Sequence, residues 1–165
     1  MKSVLIRIPP KWCALIASGK KTIVVLKTYP KLPTPFKCYI YCPQDKGLSF
    51  WKSKTYAYAD DRSHNMFDIR GNGKVIGEYM CDLIGLHPGI DVPSSCVPIE
   101  ELKKYANGKM LARWHTSDVK IYDKPRELSE FIGLRKTKFG FEPVAIKRPP
   151  QSWCYVEDDE TEERQ

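Results

Sequence analysis

The stretch Val75-Ile76-Gly77-Glu78-Tyr79-Met80-Cys81-Asp82-Leu83-Ile84 is the longest strand signal in the chain, and it limits the fold more than any other segment. Glycine weakens a strand by entropy and lost packing, so Gly77 inside this one marks a bulge or a barrel bend. Phe36 to Cys42 sets Phe36, Cys38, Ile40 and Cys42 against Lys37, Tyr39 and Tyr41, the period of two that predicts a strand with one face in the core. Shorter apolar or β-branched runs predict strands at Val4 to Ile8, Thr22 to Leu26 and Val119 to Tyr122, with Trp153 to Val156 as the closing strand. The helical signals are brief. Pro9-Pro10 stops the first strand and presets Pro10 for a first helical turn, Trp12, Leu15 and Ile16 recur at helical spacing within Lys11 to Ser18, and Gly19 stands where a left-handed terminator belongs. Pro98 opens a second helix with Glu100 and Glu101 at its positive end and Lys103 and Lys104 toward its negative end, and Asn107-Gly108 ends it. Pro125 to Phe131 gives one further helical turn or two. Tyr29 to Pro35 carries three prolines and cannot extend a strand, and from 43 to 72 the pattern is lost, as in a long functional loop or a covering segment. About six short strands with two or three short helices, in no regular alternation, exclude a doubly wound parallel sheet and predict an α+β mixed β-barrel.

With 165 residues and 42% apolar side chains, the chain has material for one core, so residues 1–156 are expected to form one domain. No run approaches the ~20 apolar residues that span a bilayer, and the opening apolar run is too short for a signal peptide, so a cytoplasmic protein without a membrane partner is expected. In that setting Cys13, Cys38, Cys42, Cys81, Cys96 and Cys154 are expected as reduced thiols, mostly buried. Cys38 and Cys42 fall on one face of a strand roughly 13 Å apart, too far for a disulfide or a shared zinc. His64, His87 and His115 lack ligand spacing, so no metal and no cofactor is expected.

The net charge of +7 conceals an asymmetry. Residues 157–165 hold six acidic side chains and one arginine, which leaves about +12 on the rest. A body so basic favours polyanions such as RNA or DNA through phosphate attraction, or simply carries a solvated lysine surface. The acidic end lacks apolar periodicity and is expected to be a disordered tail, solubilising or competing for the basic surface.

Four clusters carry candidate chemistry. Trp51-Lys52-Ser53-Lys54-Thr55-Tyr56 interleaves aromatic and basic side chains as single-stranded bases require, or else is a loop anchored by its aromatics. Arg113, Trp114 and His115 offer a stacking surface and a titratable imidazole beside Asp118. Arg135-Lys136-Thr137-Lys138 is a phosphate-facing surface or a solvated turn. The fourth, Gly19-Lys20-Lys21-Thr22-Ile23-Val24-Val25-Leu26-Lys27, is a glycine turn entering a strand and is studded with lysine.

This last junction resembles the ASCH (activating signal cointegrator homology) family, whose members characteristically carry Gly-x-Lys-x-x-Glu-x-Arg there. Gly19 and Lys21 are in register with it, whereas Val24 and Leu26 stand in place of the acid and the arginine. Phe36-Lys37-Cys38-Tyr39-Ile40-Tyr41, Val75-Ile76-Gly77-Glu78, Trp114-His115-Thr116-Ser117-Asp118 and Pro149-Pro150-Gln151-Ser152-Trp153 also resemble segments of bacterial and phage ASCH proteins, so the resemblance covers nearly the whole chain. It implies a PUA-like barrel with a cleft beside this helix and strand, holding RNA, single-stranded DNA or a modified nucleoside. Lys20, Lys21 and Lys27 would be the binding residues there, and Val24 and Leu26 would line the pocket. It also implies a hydrolase alternative, because one relative is an amidohydrolase of N4-acetylcytidine working through a lysine, a threonine and a glutamate, and another branch is assigned ribonuclease activity. Lys21 matches the catalytic lysine, Val24 replaces the threonine, and Glu78, Glu100 and Glu101 all remain open as the acid. A strand's period of two puts Val24 and Leu26 on one face, so an acid and a guanidinium are exchanged for an apolar wall. That exchange fits a lost activity, a pocket retuned for an apolar ligand, or two residues that simply face the core. A third reading is a protein-interaction adaptor using the same cleft. The sequence sets no oligomeric state.

Overall fold

The computed structural model describes residues 2–62, 65–87 and 91–158. In chain order the elements are β1 (Lys2–Arg7), α1 (Pro10–Ala17), β2 (Ile23–Leu26), β3 (Phe36–Cys42), β4 (Ser49–Lys52), β5 (Ala57–Asp60) and β6 (Ile69–Arg70). There follow β7 (Lys74–His87), α2 (Ile99–Ala106), β8 (Leu111–Arg126), β9 (Ile132–Thr137), β10 (Gly140–Ala145) and β11 (Trp153–Glu157), with single 3-10 turns at Pro93–Ser95 and Leu128–Glu130. The fold is α+β with a mainly sheet core, as predicted, but the strands are more numerous than six and the main sheet does not close. Its order is β10-β9-β11-β1-β3-β7-β8-β2, leaving β10 and β2 as free edges, so the barrel is an open, curled sheet. β1 and β3 run parallel and the remaining pairs are antiparallel.

Curling is concentrated in β7 and β8, which pair along most of their length through three register shifts. The first lies between Val75 and Gly77. A Cβ on Gly77 would stand 2.4 Å from the Lys120 carbonyl oxygen and 3.0 Å from the Ile121 Cα, so the strands approach this closely only because the side chain is absent.

Both faces of the sheet are covered at its centre. Val4, Ile6, Cys38, Ile40, Cys81 and Trp114 form the main core beneath α1, while Leu5, Tyr39, Tyr41, Val75, Tyr122 and Val156 form a second cluster on the other face. The expectation that β3 has one core face is corrected accordingly: Tyr39 is fully buried, its ring 4.9 Å from that of Phe131. Residues 43–72 also depart from the loop reading, since β4 pairs with β5 and β6 in a separate small sheet against which α1 packs. α1 thus lies between two sheets. The helical turns expected at 125–131 reduce to the 3-10 turn, because β8 continues to Arg126.

β11 runs through Glu157, and Asp158 accepts a hydrogen bond from Tyr39 Oη and an ion pair from Lys37. Residues 159–165 of the acidic tail, with His64, lie outside the described residues. All six cysteines are free thiols. Among the described residues no cluster of three or more His, Cys, Asp or Glu could hold a metal, and no helix is long and apolar enough to cross a membrane.

Candidate functional site

α1 is capped by Ser18, and Gly19, at φ +83°, turns the chain back. The Lys21 amide then bonds the Leu15 carbonyl and the Thr22 amide bonds the Ser94 carbonyl, which fixes Lys21 between α1 and the 93–95 turn. Its side chain is 3% exposed, and Nζ donates to the Ser95 carbonyl oxygen. The ammonium also lies 4.8 Å from the centroid of the Trp12 ring. Burial pulls the Lys21 pKa down from 10.5 to about 8, and the neighbouring Cys96 opposes that shift. The turn is itself braced, because Ser95 Oγ donates to the Val92 carbonyl and accepts from the Val97 amide.

Lys21 opens on a cavity of about 210 Å³ that straddles the free edge of β2. On one side stand Arg7, Trp12 and Lys21; on the other, Val97, Glu101, Leu102 and Tyr105; Val24, Val25 and Leu26 of β2 lie between. The volume is below the ~300–1,000 Å³ of sites for drug-sized ligands, so it suits one flat ring rather than a chain. Val24 is 5% exposed and belongs to the main core, and Leu26 packs half-buried against it. The two residues therefore serve the core and line the cavity at once. Ile23 and Val25 pack instead against α2.

The backbone of β2 adds polar groups. Thr116 donates its amide to the Thr22 carbonyl, and Val24 and Leu26 stand opposite Trp114 and Ala112. Hydrogen-bonded pairs alternate along an antiparallel ladder, so Thr22, Val24 and Leu26 bond β8 while the N–H and C=O of Val25 point out of the sheet at the cavity edge. At the rim, the Lys27 ammonium lies 4.8 Å from the Tyr105 ring, and the Lys27 amide bonds Tyr105, whose pKa burial raises. Lys20 is exposed beside Lys21, and its carbonyl accepts from Cys96 Sγ at 3.4 Å.

Lys20, Lys21, Val24, Leu26 and Lys27 are thus gathered about one cavity. The other predicted residues are not. Trp51 and Lys52 lie in β4 of the small sheet, where Lys52 pairs with Asp123 at 3.7 Å. Lys54 borders a shallow recess of about 620 Å³ that shares no lining residue with the Lys21 cavity. Trp114 cannot be a stacking surface: it is fully buried, its ring meets Phe36 and Trp153 edge-on, and its indole donates to the Thr28 carbonyl. Arg113 and His115, both half-buried, point to the opposite face of β8. Of the three candidate acids only Glu101 lines the cavity, whereas Glu78 is 8% exposed and held elsewhere by Tyr122 and Lys37. Sequence reasoning missed Trp12, Tyr105 and the Ser95 carbonyl as parts of the site. The aromatic rings fit helical core positions equally well, and a backbone acceptor far along the chain leaves no local signal.

Three crystal structures of ASCH proteins from Zymomonas mobilis resemble the chain over almost its full length. A tyrosine-to-phenylalanine variant matches at 16% identity and a TM-score of 0.57, over 99% of this chain and 96% of that one. An unsubstituted ASCH matches at 15% and 0.55, over 98% and 92%, and a serine-to-alanine variant at 16% and 0.54, over 98% and 93%. No family model and no curated protein matches the sequence. At such identities the likeness is one of fold, and the chain has the ASCH fold.

Proposed function

We propose that this ASCH-fold chain binds a single base, either of RNA or single-stranded DNA or as a free modified nucleoside, in the cavity beside Lys21. The observation that supports this reading most is a lysine buried against an aromatic face at the mouth of a ring-sized cavity. Trp12 offers a face for stacking and Val24, Leu26, Val97 and Leu102 offer apolar walls. The Val25 amide and carbonyl are a donor and an acceptor side by side, matching the adjacent acceptor and donor on the edge of cytosine, adenine or uracil. Lys21 supplies a further donor for a ring or acyl oxygen, and Arg7, Lys20 and Lys27 bring positive charge to the rim where a phosphate would lie.

The test is fluorescence-detected binding of short single-stranded RNA, short single-stranded DNA and free modified cytidines, each at low and moderate salt, by the protein and by Lys21→Ala. Loss of affinity by tenfold or more in the variant is expected, with weak salt dependence for the free nucleosides. Equal affinity in both proteins would reject the cavity as the site.

A hydrolase reading draws on a separate observation. With its pKa lowered to about 8, Lys21 is a ready proton donor near neutral pH, and Glu101 lines the same cavity, which provides a donor and a carboxyl group. Turnover of N4-acetylcytidine, lost in both Lys21→Ala and Glu101→Gln, would favour it; absence of turnover leaves the binding module.

A further inference from the structure

A second concave surface lies toward the far end of the main sheet, where β11, β9 and β10 extend beyond the cover of α1. It is a recess of about 470 Å³ walled by Phe141, Trp153 and Tyr155 and rimmed by lysines, and among the described residues no carboxylate lines it. The three rings form a continuous set: Trp153 and Tyr155 are 5.1 Å apart at 89°, and Tyr155 and Phe141 are 5.2 Å apart at 68°. Lys2 Nζ stands 3.9 Å from the Phe141 centroid, and Lys136 lies directly opposite Phe141 across the β9–β10 ladder.

The rings are held in place rather than merely exposed. Trp153 donates its indole N–H to Thr28 Oγ1 at 2.9 Å, and Tyr155 Oη accepts the Lys31 amide at 2.9 Å. Those two bonds fasten the segment after β2 along the recess, so that Tyr29 and Lys31 become part of its wall. The same segment begins at the Lys21 cavity, with Leu26 in the lining and Lys27 at the rim. Four residues from Lys27 to Lys31 span at most about 14 Å, so the two hollows lie within a few nucleotides of one another.

We propose that this recess is a docking groove for single-stranded nucleic acid, which receives the strand flanking a base held at Lys21. Aromatic faces tolerate any base, and the rim cations Lys2, Lys31 and Lys136 attract phosphate, with Glu157 opposite Lys2 in the β1–β11 ladder as the one acid beside them among the described residues; rings with cations are the combination sequence-independent strand binding uses. A duplex would not serve, because its bases are already stacked on one another. The proposal rests on the base-cavity reading only in taking the same polymer; the groove's residues are its own.

The test is fluorescence anisotropy with a labelled ten-nucleotide oligouridine, alongside free modified cytidine, for the full chain and for two variants. Lys2→Ala/Lys31→Ala/Lys136→Ala changes three exposed side chains, and Phe141→Ala removes a ring from an edge strand. The triple variant should lose at least tenfold in oligouridine affinity at moderate salt, and its slope of log affinity against log salt should fall by about 2. Phe141→Ala should lose about fivefold or more with the slope unchanged. Both should bind the free nucleoside as the parent does and keep the parental unfolding midpoint. Oligouridine affinity unaltered in both variants overturns the groove, as does polyglutamate bound as tightly as oligouridine. Nucleoside binding lost in Lys21→Ala with oligouridine indifferent to the groove variants leaves the cavity reading alone; the converse result leaves the groove and removes the cavity.

Discussion

Replacing Lys21 by methionine keeps the length and apolar stem of the side chain and removes its charge. The native ammonium is buried, and burial lowers its pKa from 10.5 to about 8, so at neutral pH the folded protein carries a cost of about 3 kcal/mol that the unfolded chain does not. Two losses oppose its relief in Lys21→Met. The Ser95 carbonyl forfeits its donor, worth about 1–3 kcal/mol, and the Trp12 ring loses a cation, worth about 0.5–2 kcal/mol. The net change at pH 7 is therefore small, and the pH dependence is the informative quantity. Between pH 8 and 10.5 the unfolded chain binds a proton at this site that the folded chain has released, so stability rises with pH across that window. From about pH 7 to about pH 9.5 the parent should gain about 2 kcal/mol relative to Lys21→Met. Buried thiols and phenols with raised pKa act in the opposite direction, but they are common to both proteins and cancel in the difference. Urea unfolding at four pH values, with both proteins in a Cys96→Ser background to remove the one thiol coupled to Lys21, measures it. A difference constant within about 0.5 kcal/mol over this range would refute the burial of a charged Lys21.

Gly77→Ala should cost about 3 kcal/mol or more in chemical denaturation, because its methyl group collides with the backbone at Lys120 and Ile121 rather than with a movable side chain. Trp114→Ala should lose about 3–5 kcal/mol of stability, whereas Trp12→Ala should lose less stability but most of the ligand affinity, a contrast read by pairing urea unfolding with nucleoside titration. Leu26→Arg should steepen the salt dependence for a phosphate-bearing ligand by about 0.7 in log–log slope and leave free nucleosides unaffected. Native-state alkylation near pH 8 should reach Cys96 first, since Cys13, Cys38, Cys42 and Cys81 are buried and burial holds Cys154 at a pKa of about 11; mass spectrometry of timed samples identifies the order.

The parts of the fold legible in the sequence are those where local pattern and tertiary environment agree. Phe36 to Cys42 alternates and is a strand, and Pro10 and Gly19 bracket α1 because a fixed φ and a positive φ are needed at those points. Strands β9 and β10 gave no such signal. Arg135, Lys136 and Glu142 face solvent, and Pro143 lies in β10, a position tolerated because that strand is an edge. β7 and β8 run longer than their patterns predict, since each bulge resets the alternation by which a strand is recognised. At the site, Lys21 followed from its place after Gly19, but its burial depends on the Ser95 carbonyl, which no local pattern links to it. Trp114 adjoins Arg113 and His115 in sequence, but the period of two sends the indole inward and its neighbours to the other face.

Strand β1 is completed on one side by β3 and on the other by β11, so that Val4 faces Cys38 and Tyr155 at once. During synthesis, Val4-Leu5-Ile6 is made well before residues 153–157 and gains its second partner only when these have followed. Until then Val4-Leu5-Ile6, fully buried in the finished fold, is an open edge, a template for pairing with another nascent chain. Contacts so distant in sequence also slow the final closure, because the intervening loop must be ordered before β11 can dock. Expression at reduced temperature, or with holdase chaperones that shield such an edge, should therefore raise the soluble yield of this chain more than that of a helical protein of equal size.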